Sequence, residues 1–320
     1  MNLTSIDDLT PSLFQEIISL SDRFIEVSSR PIPKVPVLRG KTLATVFYEN
    51  STRTRLSFEA AAKRLSCDTL TFNLTTSSTS KGESLQDTIQ TLDAMGIDFL
   101  VIRHPLAGVA RLASGWTNAS VINAGDGCDE HPTQALIDCI TLIQISNQLS
   151  DYDPDCQGSD WPYLKNLHIG IVGDIVHSRV ARSNVRAFTR LGAKVTLVGP
   201  PTLLPSDASS WPVDITYDLD EVISQFDVVY ALRFQKERIV QSLIPSLDEY
   251  IRYWGISSDR LDAMKPHCKI MHPGPINRGV ELSSQAADCE KSVILRQVNN
   301  SVPVRMAVLA ALSGVYVHDD

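Results

Sequence analysis

Short runs rich in β-branched residues alternate with longer amphipathic runs, and the chain passes through that alternation twice. The pattern predicts an α/β protein of two domains, each a parallel β-sheet flanked by helices. In the first half the strand candidates are Thr42–Glu49, Thr69–Leu74, Phe99–His104 and Val121–Ala124, with helix candidates Ser51–Leu65, Leu85–Met95 and Pro132–Gln148 between them. In the second half His168–Ile175, Lys194–Gly199, Asp227–Leu232 and Lys269–His272 read as strands, with Val180–Leu191 as a helix. Leu149–Tyr163 holds Pro154, Gly158, Pro162 and four aspartates, which breaks the periodicity and reads as a loop. Val304–Val317 reads as a final apolar helix whose packing partner cannot be named from spacing.

Length and charge bound the function. At roughly 100–200 residues per domain, 320 residues suit two domains with a core in each. The 29 basic and 37 acidic side chains leave a net charge of −8, which argues against a general binder of nucleic acid or anionic membrane. No apolar run approaches the roughly 20 residues of a membrane span. The N-terminal segment shows no secretory signal, so a cytoplasmic location is expected. The six cysteines form no CxxC pair and no zinc-like spacing, so they read as reduced thiols. Asp126-Gly127-Cys128-Asp129-Glu130-His131 superficially resembles a metal cluster, but consecutive residues diverge around a loop, and no metal is expected there.

The most informative segment is Ser51-Thr52-Arg53-Thr54-Arg55, where a strand ends and an amphipathic helix begins at Phe58, Ala61, Ala62 and Leu65. First-turn amides, the positive end of the helix dipole, three hydroxyls and a guanidinium converge there, which suits a phosphate or another anion. Arg55 cannot share a helix face with Arg53 and reads as structural. His131-Pro132-Thr133-Gln134 opens a second helix; a neutral imidazole at its N-terminus could donate to a carbonyl oxygen, or could be a satisfied core histidine. Arg103 ends a strand, where α/β proteins gather their ligands. Ser77–Glu83 alone reads as a polar surface loop without a P-loop pattern. Gly170-Ile171-Val172-Gly173-Asp174 invites a dinucleotide reading, but the GxGxxG spacing is missing. Arg179 and Arg233 follow two strands of the second half and could hold the two carboxylates of a dicarboxylate, or could be unrelated surface arginines.

Taken together, Ser51–Arg55, Arg103-His104-Pro105, His131–Gln134, Gly173-Asp174 with Arg179, Arg233-Phe234-Gln235, Met271-His272-Pro273-Gly274-Pro275 and Gln297–Leu309 resemble the aspartate/ornithine carbamoyltransferase superfamily over nearly the whole chain. Ser77-x-x-x-Lys81 and Arg233-x-Gln235 resemble its aspartate branch, and the His-Cys-Leu-Pro of an ornithine enzyme is replaced by His272-Pro273-Gly274-Pro275. The resemblance implies carbamoyl transfer from carbamoyl phosphate to L-aspartate in pyrimidine biosynthesis, with no cofactor. It implies a carbamoyl-phosphate-binding domain over 1–148 with the C-terminal helix, 303–320, returning to it, and an aspartate-binding domain over 149–302. Ser51, Thr52, Arg53, Thr54 and Arg103 would hold the phosphate, and Thr54, Arg103 and His131 would polarise the carbonyl. Gln134 and the backbone carbonyls near Pro273 and Gly274 would hold the amide, and Arg179, Arg233, Gln235 and Lys81 would bind L-aspartate. Ser77 and Lys81 would come from a neighbouring subunit of a homotrimer. Whether the trimer joins regulatory chains or another pathway enzyme stays open. An ornithine enzyme, a nucleotide-linked oxidoreductase and an inert carbamoyl-phosphate-binding subunit are the alternatives.

Overall fold

The β-branched runs form strands, and each half of the chain builds its own parallel sheet. The computed structural model describes residues 1–72, 83–146, 163–235 and 243–315. It separates into one unit of residues 1–137 with 299–320 and a second of residues 138–298. The first unit opens with α1 (Pro11–Ser28), whose Thr10 hydroxyl accepts the Leu13 amide and whose Leu13, Phe14, Ile17, Leu20, Phe24 and Val27 make the buried face. Strands β1 (Thr42–Phe47), β2 (Asp68–Phe72), β3 (Phe99–His104) and β4 (Ser120–Asp126) pair in the order β2-β1-β3-β4, all parallel. Parallel pairing needs crossovers, which α2 (Thr52–Arg64), α3 (Leu85–Ala94) and α4 (Val109–Ala113) supply. Ala44, Val46, Ile89, Leu92, Leu100, Ile102, Val109 and Val121 pack together on one side of the sheet. Burying each larger aliphatic side chain contributes about 1.5–3 kcal/mol. Leu3 covers the outer edge of β4, donating to Val121 and accepting from Asn123, both at 2.9 Å.

After α5 (Pro132–Ile145), the second unit carries β5 (His168–Val172), α6 (Arg179–Arg190), β6 (Lys194–Val198), β7 (Asp214–Thr216) and β8 (Val228–Ala231). There follow α7 (Leu247–Trp254), α8 (Ser258–Ala263), β9 (Lys269–Met271), α9 (Ser284–Asp288) and α10 (Ile294–Ser313). The sheet order is β7-β6-β5-β8-β9, again parallel throughout. The α/β class with two parallel sheets is therefore as expected. The expectation for the last helix needs correction: it begins at Ile294 rather than Val304 and carries Pro303 inside it. Its C-terminal part joins the first unit, as the resemblance implied, with Arg305 stacked 4.9 Å from the Phe58 ring centre.

The glycines that suggested a dinucleotide motif have packing reasons. A Cβ on Gly170 would meet the Phe226 ring at 2.3 Å, and Phe226 is fully buried. Gly173 has φ +123°, and a Cβ there would lie 2.6 Å from the Tyr250 hydroxyl. Gly170→Ala should lower unfolding free energy by about 1–3 kcal/mol, the usual cost of overpacking; urea denaturation checks it, and an unchanged midpoint would remove the packing explanation.

Candidate active site

In parallel sheets ligand-holding loops gather at the carboxyl ends of the strands, and the first unit places its predicted residues there. Phe47 at the end of β1 pairs with Arg103 at the end of β3, and His104 pairs with Asp126 of β4. From β1 the chain turns directly into α2, with Ser51 at the N-cap. The Ser51 hydroxyl makes no capping hydrogen bond, whereas Thr10, Ser84, Ser178, Ser246, Ser257 and Ser283 all accept one at their own helices. The amides of Thr52, Arg53 and Thr54 have no intrahelical acceptor by position. Thr52 and Arg53 are exposed and Thr54 is buried. Arg55 is exposed and lies 3.9 Å from Glu59, in keeping with a structural part.

Arg103 is only half-buried and already engaged: one terminal nitrogen donates to Ala124 O at 3.1 Å, the other to Glu49 Oε1 at 3.0 Å. Glu49 is a contact that sequence reasoning missed; an acidic residue just before the Ser-Thr-Arg run was its only signal. Beside Arg103, burial pushes the His104 imidazole below its usual range, and its Nδ1 accepts the Leu106 amide at 3.0 Å.

The turn from β4 to α5 is built on two buried carboxylates. Asp126 Oδ1 accepts from Asn123 Nδ2 at 2.9 Å and from the Glu130 amide at 3.2 Å, while Oδ2 accepts the Gly108 amide at 2.7 Å. Glu130 accepts the Ser5 hydroxyl at 2.6 Å and the Ile6 amide at 2.9 Å. The acidic residues that resembled a metal cluster thus serve backbone amides. They deliver His131, 5 % exposed, to the start of α5, where its carbonyl accepts the Gln134 and Ala135 amides. Gln134 follows in the first turn and is half-buried.

The second unit repeats the device at the carboxyl ends of β5, β8 and β9. Asp174, fully buried, accepts the His177 ring Nδ1 at 2.8 Å with Oδ1 and the Gln235 amide at 3.4 Å with Oδ2. Gln235 Nε2 in turn donates to the His177 carbonyl at 2.9 Å. These bonds tie the turn carrying Arg179, the first residue of α6 and 5 % exposed, to the turn carrying Arg233 and Gln235. After β9, Pro273 and Gly274 form a half-buried turn in which Gly274 takes φ +65°, a left-handed conformation that favours glycine. Ser77 and Lys81 lie outside the described residues, as does most of Leu149–Tyr163.

Cys67, Cys139, Cys268 and Cys289 form no disulfide, and burial pushes the Cys67 and Cys268 thiols up to about 12. Cys156 lies outside the described residues.

Residues 1–144 match the carbamoyl-P binding domain of the aspartate/ornithine carbamoyltransferases, and residues 165–312 match their Asp/Orn binding domain. The aspartate carbamoyltransferase catalytic subunit of Thermobifida fusca is 49% identical over 317 residues, covering 99% of this chain and 96% of that one. The Streptomyces coelicolor catalytic subunit is 48% identical over 315 residues, covering 98% and 94%. Among solved structures, aspartate transcarbamoylase from Trypanosoma cruzi in complex with carbamoyl phosphate and aspartate superposes with TM-score 0.82 at 30% identity, over 97% of this chain and 96% of that one. The catalytic subunit of M. jannaschii aspartate transcarbamoylase gives TM-score 0.78 at 34% identity, over 97% of each chain. The chain belongs to the aspartate/ornithine carbamoyltransferase family.

Proposed function

We propose that this chain is an aspartate carbamoyltransferase, which moves the carbamoyl group of carbamoyl phosphate onto the amine of L-aspartate and releases phosphate. The observation that carries the reading is the first turn of α2: a helix N-terminus whose Ser51 hydroxyl makes no capping hydrogen bond and whose first amides have no intrahelical acceptor by position. Identity of 48–49% over nearly the whole chain to catalytic subunits of that name supports the choice of acceptor.

In this reading Ser51, Thr52, Arg53, Thr54 and Arg103 receive the phosphate. Thr54, Arg103 and His131 face the carbamoyl oxygen, and Gln134 with the Pro273 and Gly274 carbonyls takes the amide. Arg179 and Arg233, joined by Gln235, take the two carboxylates of L-aspartate. The neutral amine attacks the carbamoyl carbon, the C=O π pair moves onto oxygen, and the tetrahedral intermediate expels phosphate as the C–O bond breaks. The oxyanion pair returns to re-form the C=O bond, and the proton lost by the amine balances the released phosphate as hydrogen phosphate. The protein contributes orientation and fixed positive charge rather than a covalent nucleophile. The product suits pyrimidine biosynthesis in the cytoplasm, and the family resemblance supports a homotrimer in which Ser77 and Lys81 reach a neighbouring subunit's site. Among the described residues no helix is long and apolar enough to cross a membrane.

Phosphate release from carbamoyl phosphate should require L-aspartate, fail with L-ornithine, and be lost in Arg233→Ala. Release driven by L-ornithine would overturn the acceptor; release with neither would overturn the reaction. Because an oxyanion donor in such sites is worth roughly 10²–10³ in rate, His131→Ala should lower kcat by that order while carbamoyl phosphate binding falls much less. A full-speed His131→Ala enzyme would remove the histidine from the mechanism.

A further inference from the structure

Glu281 is a buried carboxylate, 2 % exposed, to which the reading above gives no part; the inference drawn from it rests on that reading. Its Oε1 accepts the Asn277 amide and lies 3.3 Å from His272 Nε2. Its Oε2 accepts Asn277 Nδ2 at 3.2 Å and the Phe234 amide at 3.4 Å. Removing a carboxylate from water is costly unless hydrogen bonds replace the hydration, so the Asn277 and Phe234 groups that donate to it are held in place, with the His272 ring packed beside them.

The His272 ring has a determined orientation. Its Nδ1 accepts the Gly274 amide at 2.7 Å, and a ring nitrogen that accepts a hydrogen bond carries no proton of its own. The ring proton is therefore on Nε2, the nitrogen facing Glu281. The His272 backbone is fixed separately: its amide donates to Gln297 Oε1 at 3.0 Å, and Gln297 Nε2 donates to Asp138 at 2.8 Å. Imidazole and backbone together thus set the turn that presents the Pro273 and Gly274 carbonyls.

Phe234, between Arg233 and Gln235, is held at both backbone polar groups. Its amide donates to Glu281 and its carbonyl accepts Asn277 Nδ2 at 3.0 Å. Its ring packs on Tyr250 with centroids 4.6 Å apart. We propose that Glu281 is the positioning residue for both substrate-holding turns of the second unit: it sets the Pro273–Gly274 turn through His272 and the Arg233–Gln235 turn through Phe234 and Asn277.

The test compares the wild type with Glu281→Gln, His272→Asn and Asn277→Ser in steady-state kinetics and in direct carbamoyl phosphate binding. Glutamine keeps the volume of Glu281 but turns one acceptor into a donor, so one turn loses its hold whichever way the amide faces. Since small misplacements of positioned groups cost on the order of 10²-fold in rate, kcat of Glu281→Gln should fall by that order in a protein that still unfolds cooperatively. Asparagine at 272 can still accept the Gly274 amide but cannot reach Glu281. It should weaken carbamoyl phosphate binding while the KM for L-aspartate stays within about twofold, and Asn277→Ser should do the reverse. Because His272 acts through Glu281, adding His272→Asn to Glu281→Ala, in which neither turn keeps its hold, should cost nothing further.

Wild-type kinetics in Glu281→Gln, equal effects on both substrates in the two other variants, or an additive double variant would each overturn the proposal. If Glu281→Gln does not fold, the opposed effects of His272→Asn and Asn277→Ser decide it. An inactive wild type overturns the proposed reaction and this role together, whereas an active wild type with unaffected variants overturns this role alone.

Discussion

Among the described residues, the turns that follow β4, β5, β8 and β9 are held by buried carboxylates that accept backbone amides. A buried charge costs several kcal/mol unless hydrogen bonds replace its hydration, so such a group tolerates few backbone paths around it. Asp126 and Glu130 do this in the first unit, where they fix the turn that begins α5 with His131. Asp174 and Glu281 do it in the second, where they fix the turns bearing Arg179, Arg233, Gln235 and Gly274. At the amino ends of β5 and β8 Asp227 accepts the His168 amide at 2.8 Å and Lys265 Nζ at 2.7 Å, and those donors hold its carboxyl below the usual range against the opposing effect of burial.

The net charge of −8 and a pair of anionic substrates are compatible because the two signs occupy different positions. Acidic side chains that stabilise turns lie beneath the loops and spend their charge on amides. Arg53 and Arg103 stand at one sheet's carboxyl edge, Arg179 and Arg233 at the other's, where an anionic ligand of an α/β protein is expected. Arg103 shows the compromise, since Glu49 and the Ala124 carbonyl hold the guanidinium in position.

Much of this was legible in the sequence because parallel strands are buried on both faces and read as continuous apolar runs. Phe99–His104 appears as written, and Lys194–Val198 differs by one terminal residue. The three-residue β7 and the five- or six-residue α4, α8 and α9 are too short to show periodicity in the sequence. Pro303 inside α10 obscured that helix's first half. The site residues at strand-to-helix turns were legible from their chemistry. Their supports were not: Asp126 and Glu130 look like metal ligands in sequence, and Glu281 looks like any surface glutamate until Phe234, far away in the chain, is seen to donate to it.

Amide hydrogen exchange on the ligand-free protein addresses the claim that buried carboxylates hold these turns. The amides of Ile6, Gly108, Phe234 and Asn277 lie outside strands and helix interiors, so loops of ordinary mobility would exchange them quickly. If Glu130, Asp126 and Glu281 fix them, they exchange as slowly as the central amides of β3 and β5. Exchange at the rate of exposed loop amides would contradict the account, because the turns would then owe their shape to something other than these carboxylates.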